Sequence, residues 1–327
     1  MIKLGKISFN NPVLLAPMSG VTDEPFRSSV KKFGDIFTYT EMVASSDVLK
    51  TDLQSIKKLQ NSLNNNAIQI VGRDPSVMKQ AAILCEGLGT SFIDINMGCP
   101  ARKVVNNYCG AALMKDEELV KRILDSVCNS VTIPVTLKMR LGWDNNNLNA
   151  LNIARIAQES GVKMITVHAR TKKQMFKDKA RWKLVKSIKD SISIPLIING
   201  DIVCENTAKL ALEESNADGI MIGRGAYGAP WLPSKIKYYI DTGKILSSPS
   251  IEDQMYVLLN HYESLLSYYG INKGTRIARK HIQWATKNFS NSASFFQSIC
   301  KEISPNIVKE HIICFFNSKT DFSMSSI

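Results

Sequence analysis

"VTLKMRLGWDNNNLNALNIARIAQESGVKMITVHAR", residues 135–170, decides the fold of this 327-residue chain. Its two ends, "VTLKMR" and "MITVHAR", alternate apolar and polar residues, the period of a strand. Between them, "LNALNIARIAQESG" carries apolar residues at helical spacing. Strand, helix and strand in one short stretch make the βαβ unit of a parallel sheet. Working outward, "VLLAPM", "IFTYTEM", "AIQIVG" and "FIDINM" precede this unit, and "PLIING" and "GIMIGRG" follow it. Segments long enough for a helix, such as "DEELVKRILDSVCNS", separate most of them. Eight strands alternating with helices predict an α/β protein with a closed (β/α)8 TIM barrel. A doubly wound open sheet competes, but eight regular units favour closure. Near residue 245 the strand signals stop. "IEDQMYVLLNHYESLLSYYG" and "TRIARKHIQWATKNF" both read as amphipathic helices. The expected division is therefore a barrel domain, 1–244, and a small all-helical domain, 245–327.

Composition narrows the function classes. Hydrophobic residues are 44% and charged residues 21% of the chain, ordinary globular usage that argues against wholesale disorder. "MIKLGKISFNNPVLLAPM" holds only a short apolar run broken by proline, too short for a signal peptide or a membrane span. Seven cysteines without a CxxC pair argue against a secreted disulfide framework and point to a reducing cytoplasm. The net charge of +12 is concentrated. Residues 163–189 hold ten Lys or Arg and one acid, Asp178, and 273–287 hold five basic residues and no acid. A solvated surface or a polyanion partner accounts for such runs, and charge alone does not choose between them.

The strand period sorts side chains by face. In "VTLKMR", Val135, Leu137 and Met139 suit packing under outer helices, so Thr136, Lys138 and Arg140 point into the barrel. In "MITVHAR" the inward set is Thr166, His168 and Arg170. The same alternation turns Gln69, Asn96 and Asn199 inward near the ends of their strands. A lone buried histidine is more often a satisfied core residue than a catalyst. Five strands ending in inward polar residues instead describe an active site, which this fold builds at the C-terminal ends of its strands. An unpartnered buried lysine is costly, so Lys138 meets a ligand or a charge. "NGDI" (199–202) and "GRGAYG" (223–228) follow strands seven and eight, the loops that often grip phosphate in barrels. "GRGAYG" also matches GxGxxG, but no further strand unit follows to complete a mononucleotide-binding half. A polar barrel with a phosphate grip suits flavin mononucleotide, although a Schiff-base aldolase also places a lysine inside.

Cys99, in "NMGCPARKVVNNYCG" (96–110), lies on the loop after strand four, at the barrel mouth. With four histidines and no CxxC, a metal site is disfavoured, so none is expected. A nucleophilic thiol needs a cation to lower its pKa. A thiol of ordinary pKa, about 8.5, stays protonated at neutral pH and can donate a proton. Reduction of a conjugated C=C bond requires such a donor. The other six cysteines, Cys85, Cys109, Cys128, Cys204, Cys300 and Cys314, are read as inert thiols.

"APMSGVTDEPFR", "NMGCPARKVVNNYCGAALM", "TLKMRLGW", "HARTKKQMFKDKARW", "NGDI" and "GRGAYGAPW" together resemble the bacterial tRNA-dihydrouridine synthases, from about residue 10 to 232. "ARKHIQW" (278–284) carries the likeness into the helical tail. The resemblance implies an FMN-dependent oxidoreductase, driven by NADPH or NADH, that reduces the C5=C6 bond of a uridine in the tRNA D-loop. Ala16, Pro17 and Met18 would lie under the flavin ring, with Gln69, Lys138 and His168 at its polar edges. Asn199, Gly200, Asp201, Gly223 and Arg224 would hold its phosphate end. Cys99 would protonate C5 of a uridine turned out of its stack. A flavin barrel reducing a small pyrimidine or enone is the alternative function.

On the tRNA side the expected residues are Asn96, Arg140, Arg170, Lys172 and Gln174 at the barrel, and Arg276, Arg279, Lys280 and His281 in the tail. A helix over 272–288 places Lys273, Arg276, Lys280 and Lys287 on one face, and Ala278, Ile282, Ala285 and Phe289 on another. Related sequences more often carry tyrosine and glycine where Phe176 and Asp178 stand, and glycine and tyrosine at Gln283 and Ala285. These departures bear on substrate handling rather than on flavin chemistry.

Overall fold

Parallel pairing around a closed ring organises the chain. The computed structural model describes residues 2–5, 7–10, 12–50, 59 and 66–324. An N-terminal hairpin, β1 (Ile2–Leu4) and β2 (Ile7–Phe9), precedes the barrel strands β3 (Val13–Leu15), β4 (Phe37–Tyr39), β6 (Asn66–Val71), β7 (Phe92–Met97), β8 (Val135–Arg140), β9 (Met164–His168), β10 (Leu196–Asn199) and β11 (Gly219–Ile222). Each pairs in parallel with its neighbour; β11 pairs with β3, and β4 with β6 closes the ring. A short strand, β5 (Val43–Ala44), adds a further pairing to β6. The structure thus has the expected TIM barrel.

The strand period sorts the interior as read from the sequence. Val135, Leu137, Met139, Ile165 and Val167 pack outward under the helices. The helix Glu117–Cys128, capped by the Asp116 carboxylate on the Leu119 N–H, buries Val120, Ile123, Leu124 and Val127 against them. The helix Ala150–Glu159 does the same with Ile153, Ala154 and Ala157. Inside, the lower layer is apolar: Leu14, Phe37, Tyr39, Ala67, Phe92, Met164, Ile197 and Met221 cluster with Ile2 and Leu4 of the hairpin, which stoppers the barrel floor. Above that layer the inward residues turn polar, so the open end at the strand C-termini is where a ligand finds partners.

After the helix Leu232–Thr242, which packs on the barrel core, the chain runs through the mostly exposed segment 243–250. Four helices follow: Ile251–Tyr269, Ile271–Thr286, Ser292–Lys301 and Pro305–Met324. They enclose a second hydrophobic cluster that includes Leu258, Leu265, Ala278, Ile282, Ile299 and Ile312. Residues 1 and 325–327, at the outer ends of the two expected domains, lie outside the described residues.

Candidate active site

A cavity of about 760 Å³ opens at the C-terminal end of the barrel. Ala16, Pro17, Met18, Gln69, Lys138, His168, Asn199, Gly200, Asp201, Gly223 and Arg224 all line it, as do Cys99, Asn96, Arg140 and Arg170. Every barrel residue expected at the site therefore meets there, except Lys172 and Gln174.

Strand register builds the polar wall. Gln69 pairs with Asp94, Asp94 with Thr136, and Asn96 with Lys138 across β6, β7 and β8. Lys138, only 9% exposed, donates to Asn199 Oδ1 at 3.3 Å. Asn199 Nδ2 donates to the Met221 carbonyl at 2.7 Å, which turns its oxygen toward the lysine. Burial, with repulsion from Arg140, pushes Lys138 down to about 8 against the pull of Asp94.

Burial holds His168 well below the usual imidazole range, aided by Arg140, Lys138, Arg170 and Arg224. Its Nε2 lies 3.2 Å from Arg170 Nη1. A guanidinium only donates, so Nε2 accepts and the neutral ring carries its proton on Nδ1. Gly200, at φ +118°, passes close beneath this ring: a Cβ there would lie 2.9 Å from Cδ2 of His168. Arg170 itself is 2% exposed and committed. It donates to the Lys177 and Asp178 carbonyls and to both Asp201 carboxylate oxygens, at 2.7 and 2.6 Å. Asp201 also accepts the Ala180 N–H at 2.8 Å and lies 3.8 Å from Arg224 Nη2, so its carboxylate positions Arg170 and the 177–180 rim beside Arg224.

Asn96 ties the thiol loop to the barrel. Its Oδ1 accepts the N–H groups of Gly98 at 3.1 Å and Cys99 at 2.9 Å. Arg140 Nε donates to the Gly98 carbonyl at 2.8 Å, and its Nη1 reaches the Thr171 and Met175 carbonyls. Asn96 and Arg140 thus serve as braces of the loop that carries Cys99. Burial pushes the Cys99 thiol up, against the Ala101 N–H and the charges of Arg140 and Lys138. It is a protonated thiol at the cavity wall.

The other expected tRNA-side residues lie apart. Lys172 sits over the Trp143 ring at 4.4 Å, and Gln174 Oε1 accepts the Thr171 N–H. On the helix Ile271–Thr286, Lys273 and Arg276 are exposed, as is Lys287 just past its end, as a phosphate-facing surface requires. Lys280 instead turns toward the barrel and donates to the Gly20 carbonyl. Arg279 turns into the helical region and donates to the Glu302 carbonyl at 3.2 Å. His281 is buried, with its ring 5.6 Å from Phe26 and 4.6 Å from His261. Lys280 and His281 thus dock the helix on the barrel, while Arg279 ties it to the rest of the helical region. The same helix sends Trp284 and Lys287 to the cavity, where Trp284 stacks on Tyr227 at 3.9 Å.

Sequence reasoning missed Asp94, Tyr227 and Trp284. Asp94 stood two residues before Asn96 on the same inward face, so the alternation contained its signal. The pairing of Tyr227 with Trp284 joins segments far apart in the chain and had none. Among the described residues, no group of three or more His, Cys, Asp or Glu could hold a metal ion, and no helix is long and apolar enough to cross a membrane.

Comparisons agree with this geometry. The structure is similar to an old yellow enzyme homologue from Zymomonas mobilis, with a TM-score of 0.53 at 13% identity over 77% of this chain and 94% of that one. It is also similar to a histamine dehydrogenase from Rhizobium sp. 4-9, with a TM-score of 0.56 at 14% identity over 80% of this chain and 50% of that one. These likenesses concern the fold. In sequence, the chain is 47% identical over 321 residues to a probable tRNA-dihydrouridine synthase of Rickettsia conorii, covering 97% of each. It is 40% identical over 321 residues to tRNA-dihydrouridine synthase B of Pasteurella multocida, covering 97% of this chain and 96% of the relative. The family model described as dihydrouridine synthase matches residues 14–318, and with the barrel, the thiol loop and the docked helix in place, the chain belongs to the dihydrouridine synthase family.

Proposed function

We propose that this chain is an FMN-dependent tRNA-dihydrouridine synthase of a reducing cytoplasm, drawing electrons from NADPH or NADH to reduce the C5=C6 bond of a D-loop uridine. Residues 1–244 would form the catalytic domain and 245–327 the tRNA-binding domain. The residues present fit a flavin mononucleotide. The cavity has the size of a cofactor site. Its wall offers the N–H donors that a ring dione needs: Lys138, with two ammonium protons beyond the one given to Asn199, and the amide of Gln69. Ala16, Pro17 and Met18 would lie under the ring, and the backbone of Gly200 and Gly223, with Arg224, would meet the phosphate. Bound there, the flavin supplies the hydride for uracil C6.

The chain's own part is to hold and deliver a proton. Cys99 Sγ–H donates to C5, and the charges of Arg140 and Lys138 ease the thiolate left behind. The thiol then recovers its proton from solvent. The placement of Cys99 is the observation that carries the reading: a half-buried thiol at the cavity wall, on a loop braced at both its amide and carbonyl groups. Turning a uridine out of its stack would bring it past Trp284 and Lys287, which the helical region adds to the cavity.

The test incubates tRNA lacking dihydrouridine with the flavin-loaded protein and NADPH, then maps ribonuclease fragments by mass spectrometry. A gain of two hydrogens at a D-loop uridine is expected. If no uridine changes while the flavin is reduced, the small-pyrimidine or enone reductase takes this reading's place.

A further inference from the structure

We propose that Asp94 is a positioning residue: it sets the direction of a chain of side-chain amides that holds the Cys99 loop in place. The inference rests on the reading of Cys99 as proton donor. Asp94 is buried in the barrel's middle layer. Thr136 Oγ1 donates to its Oδ1 at 2.6 Å, and Gln69 Nε2 donates to its Oδ2 at 2.6 Å. Gln69 Oε1 accepts from Asn96 Nδ2 at 2.7 Å, and Asn96 Oδ1 accepts from the Gly98 and Cys99 N–H groups.

The logic is one of direction. A carboxamide has nearly the same shape when its oxygen and nitrogen are exchanged, so packing does not decide which end faces where. A carboxylate only accepts. It therefore compels Gln69 to present its NH2 inward and its oxygen to Asn96. Asn96 must then point its NH2 at Gln69 and its oxygen at the loop. Reversed, Asn96 would set an NH2 against two N–H donors, and the loop amides would lose their acceptor. The loop's other braces act on carbonyls: Arg140 holds Gly98 O, and the Ala111 N–H holds Cys99 O at 3.0 Å. The amide side of the loop depends on Asn96, and the direction of Asn96 depends on Asp94. Asp94 touches neither the loop nor a reacting atom.

This makes a specific rescue available. Asp94→Asn keeps the shape but removes the fixed acceptor at the head of the chain, leaving only the loop N–H groups to favour the wild-type direction. Adding Asn96→Asp makes position 96 an acceptor in every orientation and allows a fully satisfied reversed chain. Thr136 then donates to the oxygen of the amide introduced at position 94, and that amide's NH2 donates to Gln69. Gln69 in turn donates to the carboxylate introduced at position 96. Amide hydrogen exchange of the peptide containing Gly98 and Cys99 is measured in the full chain without tRNA. D94N is expected to speed that exchange about tenfold, one hydrogen bond's worth. D94N/N96D is expected to return it to about the wild-type rate. A loss of packing at Asp94 would not be repaired by a change at position 96. Unchanged exchange in D94N, or a double variant no better protected than D94N, overturns the proposal. Should D94N not fold, folding and protection restored in the double variant support it, and failure of both overturns it. Exchange read without tRNA tests the positioning chain alone, and uridine reduction in Cys99→Ala tests the role given to Cys99, so the two can fail separately.

Discussion

The proton donor proposed here, Cys99, has to arrive protonated, and its surroundings favour that. Burial raises its pKa more than Arg140, Lys138 and the Ala101 N–H lower it. Replacing it tests the assignment directly: Cys99→Ala is expected to slow uridine reduction about 10²–10⁴-fold, the range of a general acid. Flavin reduction by NADPH, which does not use the thiol, should be unchanged in the same variant, as read by stopped-flow absorbance. The pH dependence has a definite sign. A raised thiol pKa keeps the donor form present through neutral pH, so ionisation of the thiol should lower turnover only above the ordinary thiol range, beyond the fall that Lys138 brings as it loses its proton near 8. A rate that rises as the thiol ionises would mark Cys99 as a nucleophile instead. Lys138, His168, Gln69 and Asn199 were legible as inward residues because a strand's period of two needs no tertiary knowledge. What Arg170 and Asp201 do was not legible. Both line the cavity and pair with each other, and Asp201 also holds the Ala180 N–H and lies beside Arg224.

At the scale of elements, the helix Ile271–Thr286 is a docking element as much as a binding one. Gly228, at φ +70°, lets the loop after β11 pass against the backbone of Trp284 and Ala285. Gly228→Ala would strain the backbone and drive a Cβ into that backbone, so it should cost about 1–3 kcal/mol in urea unfolding and open the 243–250 segment to proteolysis. The same interface has a pH signature. Burial pushes His261 down to about 4, with Lys280 and Lys32 adding to the shift, and His281 is lowered in the same way. Each unfolded imidazole binds a proton near pH 6.5 that the folded one refuses, so their burial costs stability as pH falls from 6.5 toward 4. Asp23, which accepts from Tyr269, is pushed up to about 6 by burial and works the other way, gaining stability as pH falls from 6 toward 4. Unfolding at pH 7.5 and 5 should therefore show His281→Phe losing less stability in acid than wild type. Asp23→Asn should gain less in acid than wild type. The helix and its apolar face were readable from the spacing of Ala278 and Ile282. That Lys280 and His281 turn to the barrel was not, because a helical wheel shows only which residues share a face, not what lies opposite.

Over the whole molecule, a net charge of +12 favours a polyanion, and the exposed Lys273, Arg276 and Lys287 give that charge a face on the helical region, with Lys287 at the cavity. Alanine at Arg276 or Lys273 should weaken tRNA binding and lower the slope of log K against log salt by about 1 for each phosphate no longer neutralised. Lys280→Ala should act differently: it should lower thermal stability and change the salt slope less, since its ammonium donates to the Gly20 carbonyl and its charge is drawn on by Asp23 and Glu41. A filter-binding salt titration beside a melting curve separates the two. By itself the sequence determined what repeats locally: eight strand–helix units, the inward and outward faces of β8 and β9, and a thiol on the loop after the fourth barrel strand. Those features depend on neighbours a few residues apart, through the periods of strand and helix. Tertiary structure alone decided what depends on closure. It set Asp94 beneath Gln69 and Asn96, Trp284 on Tyr227, Lys280 on Gly20, and Arg170 on Asp201. In each case the partner is chosen by distance in space, and the sharpness of the site comes from hydrogen-bond donors and acceptors that meet only once the barrel has closed and the helical region has docked on it.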